Sequence, residues 1–186
     1  MTNTIIILGI IVVLGLVAIS SYNSLISLKT KVQEAESDID VQLKRRYDLI
    51  PNLIQTCKGY AKFEAETLEK VIQARNQAVS ITGLGEDRAK AEGALSSSLR
   101  QVFALSESYP DLKANTSFVE LQNELTNTED RILASRRFYN QIVSDYNATQ
   151  DQFPTVLFKS LAKAIPAKFF ELENPIEERK NIKVQF

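Results

Sequence analysis

The chain has 186 residues, with 22 Lys and Arg against 23 Asp and Glu, no His, one Cys, no Trp and six Gly. A formal net charge of -1 gives no global field to gather nucleic acid. The missing imidazole removes every His-based catalytic scheme and every His-containing zinc or haem site. One Cys makes neither an internal disulfide nor a Cys-only metal site.

The charges are unevenly spread. Residues 2–28 carry none, and residues 5–19 are an unbroken run of Ile, Leu, Val, Ala and Gly. Counting flanking Thr4, Ser20, Ser21 and Tyr22 as interfacial, the run approaches the ~20 residues a bilayer span requires. A cleaved signal peptide would want a basic n-region, which is absent, although Ala18 and Ser20 form a weak small-x-small site. A buried core helix would want a polar face to interrupt the run. The expectation is therefore a short tail over residues 1–4, a single-pass anchor in the cell membrane over 5–21, and a body over 22–186. Lys29 and Lys31 follow the run while residues 1–4 hold no basic side chain, so the positive-inside rule leans toward a cytoplasmic body.

The body reads as helix. Apolar or small residues recur at Leu28, Val32, Ala35, Ile39, Leu43, Tyr47, Ile50, Ile54, Cys57, Ala61, Ala65 and Leu68, an average step near 3.6 from Leu25. This predicts a first helix over about 22–80, kinked near Pro51, which lacks an amide hydrogen. Residues 81–85 hold two glycines and predict a turn. A second helix is expected over 86–108, ending before Tyr109-Pro110. In it, Ser96-Ser97-Ser98 reads as a polar face.

A third helix is expected over 117–152, opened by a Ser117–Glu120 capping box. Positions 118, 121, 125, 128, 132, 135, 139, 142, 146, 149 and 153 step by 3 and 4. Eight of them are apolar or aromatic, among them Leu125, Ile132, Tyr139 and Tyr146, so a partner helix and left-handed supercoiling are predicted. A short amphipathic helix over 155–165 carries Val156, Leu157, Leu161 and Ile165 and stops at Pro166. Phe169, Phe170 and Leu172 are expected to dock on the bundle, and Val184 and Phe186 to pack an ordered tail or fray with it. The predicted fold is all-α: a long antiparallel bundle of three to four helices plus a short C-terminal helix, with an N-terminal transmembrane helix.

The densest polar cluster is residues 38–48. Asp38 and Asp40 are two apart and point to different sides of a helix, so they do not share a substrate or metal. Lys44-Arg45-Arg46 spreads three cations over most of the helix circumference. Arg46 then crowds the apolar stripe beside Leu43 and Tyr47, where it needs an acceptor in the bundle or on a partner.

The segment AESDIDVQLKRRYDLIPNLI, residues 35–54, resembles the hallmark segment of the LemA family, bacterial proteins with a short N-terminal membrane segment and a long-helix bundle. The resemblance continues through Gly59-Tyr60-Ala61, Ala74-Arg75, residues 135–140, Phe153-Pro154, Phe169-Phe170 and the Val184-Gln185-Phe186 end. Gln185, where the family often has Asp, and Cys57 depart from it. The resemblance implies membrane attachment and an all-α body, and brings no established reaction.

Beside it, Lys44, Arg45, Arg46, Tyr47, Asp48, Pro51 and Asn52 form a candidate interaction or self-assembly surface. No catalytic, metal or cofactor-binding residue is expected, because nucleophile motifs, phosphate loops and metal-ligand spacings are missing from the sequence. The expected function is that of a membrane-anchored, non-enzymatic scaffold or adaptor. Its partners would be the bilayer through residues 5–21 and a second copy or another membrane-associated protein, with no nucleic acid. The alternative is a membrane-attached sensor or ligand-binding module that uses the bundle as a switch.

Overall fold

The computed structural model describes residues 2–60 and 64–171. Among these, all regular structure is helical: α1 (Thr2–Lys58), α2 (Ala65–Ser80), α3 (Glu86–Ser106), α4 (Pro110–Lys113) and α5 (Thr116–Asp151), then a 3-10 turn at Thr155–Phe158. This is the expected all-α class, and α1 opens with a stretch long and apolar enough to cross a membrane.

Several boundaries differ from expectation, and α3 ends at Ser106 instead of 108. The helix predicted over 22–80 is divided between α1 and α2. Its break falls at Gly59 and Tyr60, whose amides take tighter bonds to the Thr56 and Cys57 carbonyls at 3.3 and 3.0 Å. Glycine forfeits about 1 kcal/mol of helix propensity there, and of the predicted stripe positions past the break Ala65 is exposed and Leu68 buried. Ala61 lies outside the described residues. The start of α5 is also one residue earlier: Asn115, not Ser117, is the cap, with its Oδ1 accepting from the Phe118 amide at 3.0 Å. That satisfies one of the orphan donors of the first turn, while Ser117 sits exposed within it.

Pro51 lies inside α1, which continues through it. The turn at residues 81–85 is as expected, and Gly83 takes the left-handed φ of 75° that favours glycine.

The chain divides into two compact units, residues 1–38 with 137–168, and residues 39–136 with 169–186. In the second unit, residues 39–58 of α1 share a core with α2, α3 and α5. Ile50, Leu53, Cys57, Val71, Leu95 and Phe118 are all sealed from water, and each large aliphatic chain so buried contributes ~1.5–3 kcal/mol. Phe118 meets Phe103 edge-to-face at 6.3 Å. Phe170 docks as expected, its ring under the Arg136 guanidinium at 5.3 Å and its carbonyl accepting from Arg136 Nε at 2.7 Å.

In the first unit the buried stripe of α1 is narrow, Ser21, Leu25, Val32 and Ala35, because one segment covers it. From α5 the inward set is Tyr139, Val143, Tyr146 and Gln150. The predicted seam named 142 and 149 instead; the step lengthens toward 3.6, the natural period of a straight helix, and Val143 and Gln150 rotate inward. The Tyr139 hydroxyl donates to the Lys168 carbonyl at 2.9 Å. Burial, helped by the Glu36 carboxylate, pushes this phenol up to about 12.

The amphipathic helix expected over 155–165 is replaced by the 3-10 turn and a run of turns. The Thr155 hydroxyl hydrogen-bonds to the carbonyls of Thr149 and Gln152 at the end of α5 and turns Thr155 inward. Lys163 adopts a left-handed φ of 48°, which stops helix propagation. Val156, Leu157, Leu161 and Ile165 are therefore exposed, and Ala162 and Ala164 face inward. Phe153, a predicted seam position, is exposed past the end of α5. The expected roles of Leu172, Val184 and Phe186 lie outside the described residues.

Candidate functional site

The three adjacent cations fan out as their spacing requires. Lys44 is exposed and pairs with Asp48 one turn on at 2.7 Å, worth only ~0.3–0.5 kcal/mol. Arg45, about half exposed, reaches Glu124 of α5. Arg46 turns inward and is 1% exposed.

Arg46 finds its acceptors inside the bundle. Its Nη2 donates to Glu92 of α3, itself 7% exposed, and its Nη1 donates to Glu129 of α5 at 2.6 Å and to Ser96 Oγ at 2.9 Å. The Ser96 hydroxyl lies 3.0 Å from the other Glu129 oxygen. On the same turn of α1, the Tyr47 hydroxyl donates to the second oxygen of Glu92. Burial first, and then Glu92 beside it, raises the Tyr47 phenol well above its ordinary value and keeps it neutral. A second arginine flanks the group, Arg88 Nη2 lying 2.9 Å from Asp40 Oδ1. The result is a network of two guanidiniums and three carboxylates that ties α1, α3 and α5 together at one level. Such a buried pair adds little net stability over apolar residues of similar volume, whereas loss of one partner leaves an uncompensated buried charge.

Just beyond it, Pro51 has no amide hydrogen to give to the carbonyl of Tyr47, four residues earlier. The donor comes from α2 instead, Arg75 Nε reaching the Tyr47 carbonyl at 2.9 Å. At the other end of α1, the Asn115 Nδ2 donates to the Tyr60 hydroxyl at 2.9 Å, so one side chain caps α5 and holds the α1 terminus.

Of the seven predicted surface residues, Arg46 and Tyr47 are interior members of the network, and Lys44, Arg45, Asp48, Pro51 and Asn52 face outward. Asn52 borders a shallow cleft with Gln55 and Thr56 of α1 and Ser117, Glu120, Leu121 and Glu124 of α5. Sequence reasoning missed Glu92, Ser96 and Glu129. The signal was present: Glu92 sits on the apolar stripe Ala89, Leu95, Leu99, Val102 of α3, and Ser96 follows it by four residues on the same face. Ser96 and Ser98 are thus not a solvated face, since the Ser98 hydroxyl is buried against the Leu95 carbonyl at 2.8 Å. No group of three or more metal-ligating side chains occurs among the described residues.

These features define an all-α bundle protein whose first helix begins as an apolar stretch of bilayer-spanning length and whose body is keyed by an internal arginine–carboxylate network. The chain belongs to the LemA family, matching it over residues 35–186. It is 30% identical to Protein LemA of Metamycoplasma hominis over 126 residues, 68% of this chain and 58% of that protein. It is 22% identical to Magnetosome protein MamQ 2 of Paramagnetospirillum magneticum and to Magnetosome protein MamQ of Magnetospirillum gryphiswaldense, over 72% of this chain and 58% of each relative. The chain thus spans under two thirds of the length of these relatives.

Proposed function

We propose that this protein is a membrane-anchored helical scaffold or adaptor, held in the cell membrane by residues 5–21, that acts through protein–protein contact or self-assembly. The observation that carries the reading is the continuity of α1: the helix whose first turns are long and apolar enough to span a bilayer also supplies Arg46 and Tyr47 to the body's ion network. A partner docked on the body is thereby tied to the bilayer. The surface offered to it is the outward strip Lys44, Arg45, Asp48, Pro51 and Asn52, with a second copy or another membrane-associated protein as occupant. Lys29 and Lys31, just past the apolar run, favour a cytoplasmic body.

The body's polar groups support a non-enzymatic role. Glu92 and Glu129 accept from Arg46, and Tyr47 is held neutral, so the densest polar cluster is engaged in structure. The sensor reading draws on the same cluster, whose repacking would give the bundle a second state.

Crosslinking through Lys44 in native membranes tests the proposal. A discrete ladder of copies or one defined heteromeric band is expected; a strictly monomeric, unpartnered species sinks it.

A further inference from the structure

Apart from the apolar run of α1, the longest stretch of exposed apolar side chains in the first unit lies between α5 and its return. Phe153, Leu157, Leu161 and Ile165 are 67–80% exposed, an arrangement that soluble surfaces avoid. The segment is not loose. The Asn147 carboxamide grips Ala167 at its neck, Nδ2 donating to the Ala167 carbonyl and Oδ1 accepting from its amide, each at 2.9 Å. Thr155 ties its start to the end of α5, and Lys159 pairs with Asp151 at 2.7 Å. The apolar side chains are presented outward by a fixed frame.

Its level along α1 follows from contacts within the same unit. Tyr139 lies near Glu36, and α5 runs antiparallel to α1. Asp151 is 12 residues past Tyr139, about 18 Å along the axis, which brings the end of α5 level with about residue 24 of α1. Lys29 Nζ reaches the Lys163 carbonyl at 3.5 Å. Burial on α1 ends at Ser21, and the side chains of the apolar run beyond it are exposed. The loop therefore lies alongside α1 at about residues 24–29, just past the apolar run, where the anchor reading puts the lipid headgroups. Its charge suits that place: residues 153–165 contain Lys163 and Lys159, the latter paired with Asp151, and no Asp or Glu.

We propose that residues 153–165 form an interfacial loop lying in the headgroup layer of the bilayer that α1 crosses, with Phe153, Leu157, Leu161 and Ile165 inserted and Lys163 facing anionic headgroups. The proposal rests on the anchor reading above and adds a second membrane contact. One transmembrane helix leaves a body free to tilt and spin; a wedge of apolar side chains ~5–10 Å into the interface fixes which side of the body faces the lipid.

The chain has no Trp, so single exposed replacements report their own surroundings. Full-length Ile11→Trp, Leu161→Trp, Ile165→Trp and Phe138→Trp proteins are reconstituted in phosphatidylcholine–phosphatidylglycerol vesicles with and without bromine on the acyl chains. Quenching of about twofold is expected for Ile11→Trp, Leu161→Trp and Ile165→Trp, and little for Phe138→Trp, which stands about 20 Å from the end of α5. Weaker quenching at Leu161→Trp is expected in phosphatidylcholine alone. Quenching at Ile11→Trp without quenching at Leu161→Trp and Ile165→Trp overturns the loop and leaves the anchor standing; a blue-shifted emission in that case means that a second copy covers the patch, and a red-shifted one that water does. No quenching at Ile11→Trp overturns the anchor and this proposal together.

Discussion

The Nε of Arg75 donates to the carbonyl of Tyr47, the acceptor that Pro51 leaves without a helical donor. A guanidinium from α2 stands in for a missing amide of α1, so a proline inside a long helix is accommodated without leaving a half-buried carbonyl unpaired. Arg75→Ala should lower stability by ~1–2 kcal/mol. In a Pro51→Ala background, where the amide hydrogen is restored, the same change should cost clearly less. Equal losses by urea unfolding in both backgrounds would show that the two donors do not substitute for one another.

Removing Arg46 takes the paired guanidinium from the buried Glu92 carboxylate and leaves it the Tyr47 hydroxyl as donor. Arg46→Ala is expected to destabilise by ~3–5 kcal/mol, against ~0.5 kcal/mol or less for Lys44→Ala, whose pair is exposed. Thermal melts followed by circular dichroism separate the two. Similar small effects would mean that the network is dispensable.

Leu125 and Ile132 are buried members of the α5 stripe. Leu125→Asp or Ile132→Asp would place an unpaired carboxylate in the core, at a cost above ~4 kcal/mol, enough to unfold the body. Val119→Asp, on the exposed side of the same helix, should change the melting temperature little. A cooperative, unshifted melt for Ile132→Asp would refute the inward assignment.

Burial raises the Cys57 thiol from 9.0 to about 11. The native state keeps this proton over a range in which the unfolded chain has released it. Its contribution is thus whole below pH 9 and is lost as pH rises toward 11. Tyr139 adds the same trend from pH 10 to about 12. The melting temperature should fall steadily above pH 9, and Cys57→Ala should flatten the first part of that fall. An identical pH profile in Cys57→Ala protein would remove the thiol from the explanation. Cys57 should also resist thiol reagents until the protein unfolds, since it is fully buried.

What the sequence revealed was governed by periodicity. The α1 stripe and most of the α5 stripe follow from spacing alone, and the need of Arg46 for an internal or external acceptor follows from crowding three cations on one turn. What stayed hidden depends on neighbours far along the chain. Asn115 outcompeted Ser117 as the cap because its amide could serve α5 and Tyr60 at once. Gly59 ended a helix whose apolar pattern ran on past it. At residues 155–165 apolar spacing predicted an inward face, but the Thr155 hydroxyl set the rotation of the segment and turned that face outward.

The double grip of Asn147 on Ala167 has a consequence for proteolysis. A cut anywhere in residues 153–165 leaves both new ends tied, one through α5 and one through the Asn147 carboxamide with the Tyr139–Lys168 hydrogen bond behind it. The nicked protein should elute and melt as one particle, and the two fragments should part only in denaturant.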